Sequence, residues 1–358
     1  MIGLFLEENS SITKRELWEI VRKFLNSCLN KGFIPKWQDC LNELPSSIAN
    51  EDLQSIQHRF LELTEFNFLK QILQLQANEF FFHSTECLQA LFPNGQKEIL
   101  NTPIDREDWQ MWLEILSVKF HQNWNLENPF VSFYANLFDK DCRLSMIHLS
   151  TSPQKKSKFT IRILASSPYE LENFGLSNTL RDLVNEKRNV LIAGSTGSGK
   201  TSLLSSMLTQ INPSEHIIIL EDTYEIQSLH PYQTRFLSGT SSQTSLESYL
   251  KNSLRLSPDR LILGEMRSHE VIPFFLSMNT GHKGLMGTIH SSSAVDAINR
   301  VALLFSLFGG NTGMDYNHVV NLICRNLDFV VFVENKKVTE IIKVLGSERG
   351  IPFYECLF

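Results

Sequence analysis

Residues 190–208 read Val-Leu-Ile-Ala-Gly-Ser-Thr-Gly-Ser-Gly-Lys-Thr-Ser-Leu-Leu-Ser-Ser-Met-Leu. The run Val190 to Ala193 is apolar enough for a buried strand, and Leu203, Leu204, Met207 and Leu208 recur at helical spacing. Between them, Gly194, Ser195, Thr196, Gly197, Ser198, Gly199, Lys200 and Thr201 match G-x-x-x-x-G-K-T, with Ser202 one step into the helix. Strand, glycine loop and helix together make a phosphate-binding loop. The glycines let backbone N–H groups converge on phosphate oxygens, and the helix adds the positive end of its dipole. Lys200 is expected to reach the β- and γ-phosphates of a nucleotide, and the Thr201 hydroxyl to sit on Mg²⁺.

Working outward, 358 residues suit two domains and an appendage. A composition of 42% hydrophobic and 20% charged residues is that of an ordinary globular protein. The net charge of −6 gives little support to a general nucleic-acid clamp. Six cysteines are scattered without a C-x-x-C pair, which points to reduced thiols rather than a zinc cluster or a disulfide framework. Met1 to Leu6 is apolar but meets Glu7 and Glu8 at once, unlike a secretory leader. No apolar run approaches the ~20 residues needed to span a bilayer, so any membrane association is expected through partners.

Three segments are expected. Residues 1–67 read as a helical extension, with Leu17, Val21, Leu25 and Leu29 on one face and many phenylalanines assigned to core. Residues 68–166 read as a small α+β domain, with strands over Glu79–Phe82, Arg143–His148 and Phe159–Leu164 and a helix carrying Trp109, Trp112, Leu113 and Leu116. A connector opens at Ser166-Ser167-Pro168, and residues 167–358 alternate strands and helices as an α/β domain with a parallel sheet. Its strands are expected over Val190–Ala193, Ile217–Leu220, Leu261–Gly264, Gly287–Ile289 and Phe329–Val333, with an antiparallel strand over Val338–Val344 after a turn.

Carboxyl ends of parallel strands converge on the ligand crevice, so acidic residues there are the next candidates. Ile217–Leu220 runs into Glu221-Asp222, and Leu261–Gly264 runs into Glu265, a Walker B reading with glutamate. Glu221 and Asp222 are weaker on their own, since acidic residues also cap helices and close turns.

Four blocks in order, GSTGSGKT at 194–201, LEDTYEI at 220–226, LRLSPDRLILGEMR at 254–267 and TGHKGLMGTIHSSSAVDAINRV at 280–301, resemble the ATPase superfamily that powers type II and type IV secretion and type IV pili. The acidic and Walker B blocks look most like the type IV secretion traffic ATPases and the tight-adherence pilus branch. The resemblance covers about residues 68–358 and implies a RecA-like motor domain beneath the smaller N-terminal domain, with ATP and Mg²⁺ between them, in a homo-hexamer. It assigns phosphate and Mg²⁺ to Lys200 and Thr201, and orientation of metal and water to Glu221 and Glu265. His290 becomes the γ-phosphate sensor, and His282 a further site residue. Arg143 and Arg162 match arginines of the N-terminal domain that reach the nucleotide. Arg255, Arg260 and Arg267 are equally open to site or ion-pair roles. Two departures stand out: Ser291-Ser292-Ser293 where the family usually has Ala-Asn after the histidine, and a first stretch, 1–67, with no counterpart.

What the resemblance implies is a cytoplasmic enzyme, peripheral to the bacterial inner membrane, whose Mg-dependent ATP hydrolysis drives a secretion or pilus machine through inner-membrane partners. Direct nucleic-acid binding is not expected. The rival readings are a RecA-like hexameric nucleic-acid translocase, which needs a basic pore, and a regulatory subunit that binds nucleotide without hydrolysing it, against which Lys200, Thr201 and Glu265 speak.

Overall fold

The computed structural model describes residues 12–84, 87–102, 104–164, 167–239, 242–309 and 315–358. Met1 to Leu6, and Ser166 at the expected connector, lie outside these residues. The chain divides into two compact units, one up to Leu164 and one from Ala165 onward.

In the first unit, α1 (Lys14–Leu29), α2 (Trp37–Leu41), α3 (Asn50–Glu65) and α4 (Asn67–Leu73) precede β1 (Glu79–Ser84), β2 (Cys87–Leu91) and β3 (Lys97–Leu100), then α5 (Trp109–Lys119), β4 (Phe130–Leu137), β5 (Lys140–Ile147) and β6 (Lys158–Ile163). Helix α1 starts where Thr13 and Glu16 form a reciprocal capping box. Its buried stripe is Leu17, Trp18, Val21, Leu25, Cys28 and Leu29. The strands form an antiparallel sheet in the order β3-β2-β1-β6-β5-β4. Alternating burial along β5 and β6 turns one face of this sheet to the core and the other away from it.

Helices from the first 67 residues and the sheet share one hydrophobic core: Phe60 and Phe66 are buried together with Phe82, Trp112 and Phe159. Trp112 packs edge-on to Phe66 and Phe159, at ring-centroid distances of 5.6 and 5.5 Å. A buried polar staple adds direction. Asp108, 1% exposed, accepts from Trp18 Nε1 at 3.1 Å and Arg59 Nε at 2.7 Å, and the Arg59 guanidinium lies 4.5 Å from the Trp18 ring. One carboxylate thereby joins α1, α3 and the start of α5.

The second unit contains α6 (Ser177–Asn185), β7 (Val190–Gly194), α7 (Lys200–Leu208), β8 (Ile217–Glu221), β9 (Gln233–Leu237), α8 (Leu246–Ser253), β10 (Arg260–Leu263), α9 (Val271–Asn279), β11 (Met286–His290), α10 (Ala294–Phe308), α11 (Tyr316–Asn326), β12 (Phe329–Glu334), β13 (Lys337–Glu348) and β14 (Ile351–Cys356). The sheet order is β14-β13-β12-β7-β11-β10-β8-β9, parallel from β12 to β9 and antiparallel at β13 and β14. Both faces are covered. Val190, Ile192, Ile217 and Ile219 pack with α6 and α7, while Leu191, Ala193, Ile218 and Leu220 pack with α8 to α11. That double burial is why these strands are apolar at every position rather than at every second one. Among the described residues no helix is long and apolar enough to cross a membrane.

Candidate functional site

The phosphate loop leaves β7 at Gly194, where φ is 153° and a Cβ would meet the Val333 carbonyl oxygen at 2.3 Å. At Gly199, φ is 106° and a Cβ would lie 3.3 Å from Lys336 Cα, while the Lys336 N–H donates to the Ser198 carbonyl at 2.8 Å. Glycine is thus required twice, and the β12–β13 turn braces the loop from outside. Lys200 opens α7 and is only 6% exposed. Its Nζ donates to the carbonyls of Gly194 (3.0 Å) and Ser195 (2.8 Å) and lies 3.1 Å from His290 Nδ1. Burial lowers the Lys200 pKa, and the Glu265 charge partly restores it. Among the described residues no carboxylate bonds this ammonium directly, and the buried Ser198 Oγ has no hydrogen-bond partner. A buried cation without a counter-ion contact and an orphaned hydroxyl, in a loop of left-handed glycines, fit an anionic ligand.

Parallel pairing of His290 with Gly194 brings the histidine beside the loop. Burial, and after it the Lys200 charge, hold the His290 pKa below its ordinary value. A neutral ring accepting at Nδ1 from Lys200 carries its proton on Nε2, 2.8 Å from Glu265 Oε1. That contact pairs the groups electrostatically, yet Oε1 accepts no aligned hydrogen bond among the described residues. Glu265 Oε2 pairs with Arg267, which raises the arginine's pKa. Lys200, His290, Glu265 and Arg267 form one continuous chain of polar contacts across the ends of β7, β11 and β10.

Glu221 ends β8 and is 2% exposed. Its Oε1 accepts from the N–H groups of Glu225 (2.9 Å) and Ile226 (2.6 Å), and its Oε2 is paired with Arg235. Burial pushes the Glu221 carboxyl up to about 7, against the downward pull of Arg235 and the two amides. Its oxygens are committed inside the protein, whereas Glu265 keeps a side chain 19% exposed. Arg235 had no signal in the sequence: it stands 14 residues from its partner, and the parallel register that sets it opposite Ile219 brings the two together.

Ser195 and Thr196 are exposed on the loop, and Thr201 and Ser202 are half-buried in the first turn of α7. Asp222 is exposed and accepts from Ser238 Oγ at 2.8 Å. His282 is not brought to this group. It precedes β11, whose far end carries His290, and pairs instead with Thr280 Oγ1 at 3.3 Å. The strand residues Met286 to Ile289, at roughly 3.3 Å each, lie between the two histidines within the unit. Arg260 is structural: it enters β10 at the same distant edge, is 2% exposed, and donates to Glu215 Oε2 at 2.8 Å, Oε1 at 3.0 Å and the Val184 carbonyl at 2.8 Å. Arg255, exposed, also precedes β10, so Arg267 is the one of the three at the loop's end of the sheet.

In the first unit, Arg143 and Arg162 stand directly opposite each other on β5 and β6, on positions that face away from the core. Arg143 Nε donates to Ser132 Oγ at 3.2 Å, and Arg162 lies 3.6 Å from Glu79. Like charges directly opposite each other cost stability, and here the Glu79 carboxylate beside Arg162 offsets part of that cost.

A family described as "Type II/IV secretion system protein" matches residues 135–330. The conjugal transfer protein TrbB of Rhizobium radiobacter is 31% identical over 214 residues, 54% of this chain and 62% of its own length. The type IV secretion system protein VirB11 of Bartonella quintana is 33% identical over 180 residues, 48% of this chain and 51% of its own. Among solved structures, the Legionella pneumophila ATPase DotB is similar with a TM-score of 0.61 at 14% identity, covering 82% of this chain and 79% of that one. The pilus retraction motor PilT, solved with bound ADP, gives a TM-score of 0.58 at 21% identity, over 81% and 82%. These likenesses establish the fold: a RecA-like phosphate-loop unit preceded by an α+β unit.

Proposed function

The chain belongs to the type II/IV secretion system protein family, and we propose that it is an ATPase that powers a type IV secretion or pilus machine. The observation that carries this reading is the buried, carboxylate-free Lys200 ammonium set in a glycine loop beside the orphaned Ser198 hydroxyl. In the free site the ammonium rests on two carbonyls of its own loop. Exchanging those neutral acceptors for phosphate oxygens gains charge-assisted bonds, so the site favours a polyphosphate over water.

Glu265 is the carboxylate placed to orient and deprotonate an attacking water. Its side chain is partly exposed, and it is flanked by His290 at Oε1 and Arg267 at Oε2, which tie its position to Lys200. His290 touches both the phosphate lysine and this carboxylate, so displacement of Lys200 by a γ-phosphate is passed to Glu265 through one imidazole. Thr201 and Glu265 would hold Mg²⁺, which supplies charge neutralisation on the phosphates. Glu221 reaches the metal only by giving up Arg235, and it serves the site from behind. Arg143 and Arg162 are assigned to the nucleotide through the resemblance alone.

The further reading, a homo-hexamer at the cytoplasmic side of the inner membrane acting on membrane components, rests on the family resemblance, while TrbB and VirB11 are named for conjugal transfer and type IV secretion. Phosphate release from ATP by the purified chain, measured with Mg²⁺, with a chelator and with single-stranded DNA, tests it. Chelator-sensitive turnover indifferent to DNA is expected. Turnover that requires DNA would move the chain to the translocases, and nucleotide binding without turnover would make it a regulatory subunit. Light scattering with and without nucleotide tests the hexamer.

A further inference from the structure

Arg235 lies on β9, outside every motif of the phosphate site, yet it contacts three residues of the turn beside that site. Its Nη1 pairs with Glu221 Oε2 and donates to the Ile226 carbonyl at 2.9 Å, and its guanidinium lies 4.3 Å from the centre of the Tyr224 ring. Glu221 in turn accepts the N–H groups of Glu225 and Ile226. These bonds close a ring that fixes the turn after β8 at both its carbonyl and its amides. The next residue continues the chain: Gln227 N–H donates to Ser205 Oγ at 3.0 Å, and Ser205 Oγ donates to the Thr201 carbonyl at 2.8 Å. An unbroken path of hydrogen bonds thus runs from the edge strand of the sheet to the first turn of the phosphate-loop helix. The carboxylate is buried and the arginine partly so, with side chains 2% and 15% exposed, so their pairing is not the loose kind found at a surface.

We propose that Arg235 is a positioning residue that, by locking Glu221 and the turn behind it against the first turn of α7, sets the rate of the reaction at the phosphate loop without touching nucleotide. The proposal rests on the ATPase reading of that loop. Removing the guanidinium leaves the buried Glu221 Oε2 and the Ile226 carbonyl without this donor, and the turn loosens together with its tie to Thr201. Supports of this kind, one shell behind the reacting groups, typically carry about 10- to 100-fold of activity. Because no contact to nucleotide is lost, the effect falls on kcat and not on KM.

The test uses the full chain. R235Q is expected to lower kcat about 10- to 100-fold and to leave the KM for Mg-ATP within about threefold. Amide hydrogen exchange is expected to speed up at residues 224–227 and 200–205 and to stay unchanged in β12 to β14. R235K keeps a cation for Glu221 but not the planar stack on Tyr224, and is expected to be intermediate in both readouts. The double variant E221Q/R235Q is expected to lose no more than the worse single one, because each removes the same lock. Wild-type kcat in R235Q, a defect confined to KM, or unchanged exchange at 224–227 would overturn the proposal. If R235Q does not fold, R235K decides, with wild-type behaviour in both readouts as the refuting result. Absence of turnover in the wild-type chain would instead refute the ATPase reading and with it the rate effect, and the exchange arm would still report whether Arg235 holds the turn.

Discussion

The two sheets of this chain carry their charge in different places. In the parallel sheet both faces are buried under helices, and the polar groups are driven to the strand ends, where Gly194, Glu221, Glu265 and His290 gather. In the antiparallel sheet one face is free of the core, and Arg143, Arg162 and Glu79 stand on it in adjacent strands. Burial therefore fixes where chemistry can be placed: strand ends when a sheet is covered twice, an open face when it is covered once. The first arrangement makes a built pocket with pre-set partners. The second sets two arginines and a glutamate side by side on a solvent-facing surface.

The strongest way to break this contrast is to remove the buried cation. Lys200→Ala is expected to weaken nucleotide binding and to reduce turnover by on the order of 10² to 10³-fold, read by phosphate release and by titration with a fluorescent ATP analogue. Preserved turnover would mean that the loop is not the phosphate site. Next in size is a change that concerns folding alone. Asp108→Ala breaks the Trp18–Asp108–Arg59 staple and is expected to cost about 1–3 kcal/mol of unfolding free energy, the scale for leaving the buried Trp18 Nε1 without an acceptor, while Arg59 keeps Asp105. Denaturant unfolding followed by tryptophan fluorescence reports it, since Trp18, Trp109, Trp112 and Trp124 are all in the first unit's core.

The open face should behave in the opposite way. The double variant Arg143→Ala, Arg162→Ala is expected to lower turnover about 10-fold or more while the unfolding midpoint changes little, because relief of the cross-strand repulsion, about 0.2–1 kcal/mol, offsets the loss of the exposed Arg162–Glu79 pair. A loss of stability with unchanged turnover would reassign the two arginines to structure. The smallest effect is one of pH. Glu221 has its carboxyl raised by burial from 4.5 to about 7, so the folded chain holds this proton more tightly than the unfolded chain. The resulting stabilisation is complete below about 4.5 and is lost as pH rises through about 7. Relative to Glu221→Gln, wild-type stability should therefore decline between those values, a trend that denaturant titrations at four or five pH values would detect. A rise across that interval would show that Arg235 outweighs burial.

The parts of the structure legible in the sequence were those with a local signature. Val190 to Met207 declared strand, loop and helix by apolar run, glycines and spacing, and the doubly buried strands were visible as continuous apolar stretches. Strand β9 was not, because Gln233-Thr234-Arg235-Phe236-Leu237 is a mixed edge strand with no alternation to read. Arg235 was invisible for a related reason: its meaning comes from the pairing of β8 with β9, and register is not written in either strand alone. The histidines show the converse error. His282 and His290 are eight residues apart and suggest one site, but an intervening strand carries them to opposite ends of the sheet. Likewise Arg260, beside the Walker B strand in sequence, is spent on Glu215 at the far edge.

The division of labour between the two carboxylates is the centre of the account, and Glu265→Gln addresses it most directly. Equilibrium binding of ATP and single-turnover phosphate release, measured on the wild-type and Glu265→Gln chains with Mg²⁺, separate holding the nucleotide from cleaving it. The expected result is near wild-type affinity in the variant with cleavage slowed by about 10² to 10⁴-fold, the range for loss of a general base. Cleavage at the wild-type rate would contradict the assignment of Glu265 and return the catalytic role to Glu221.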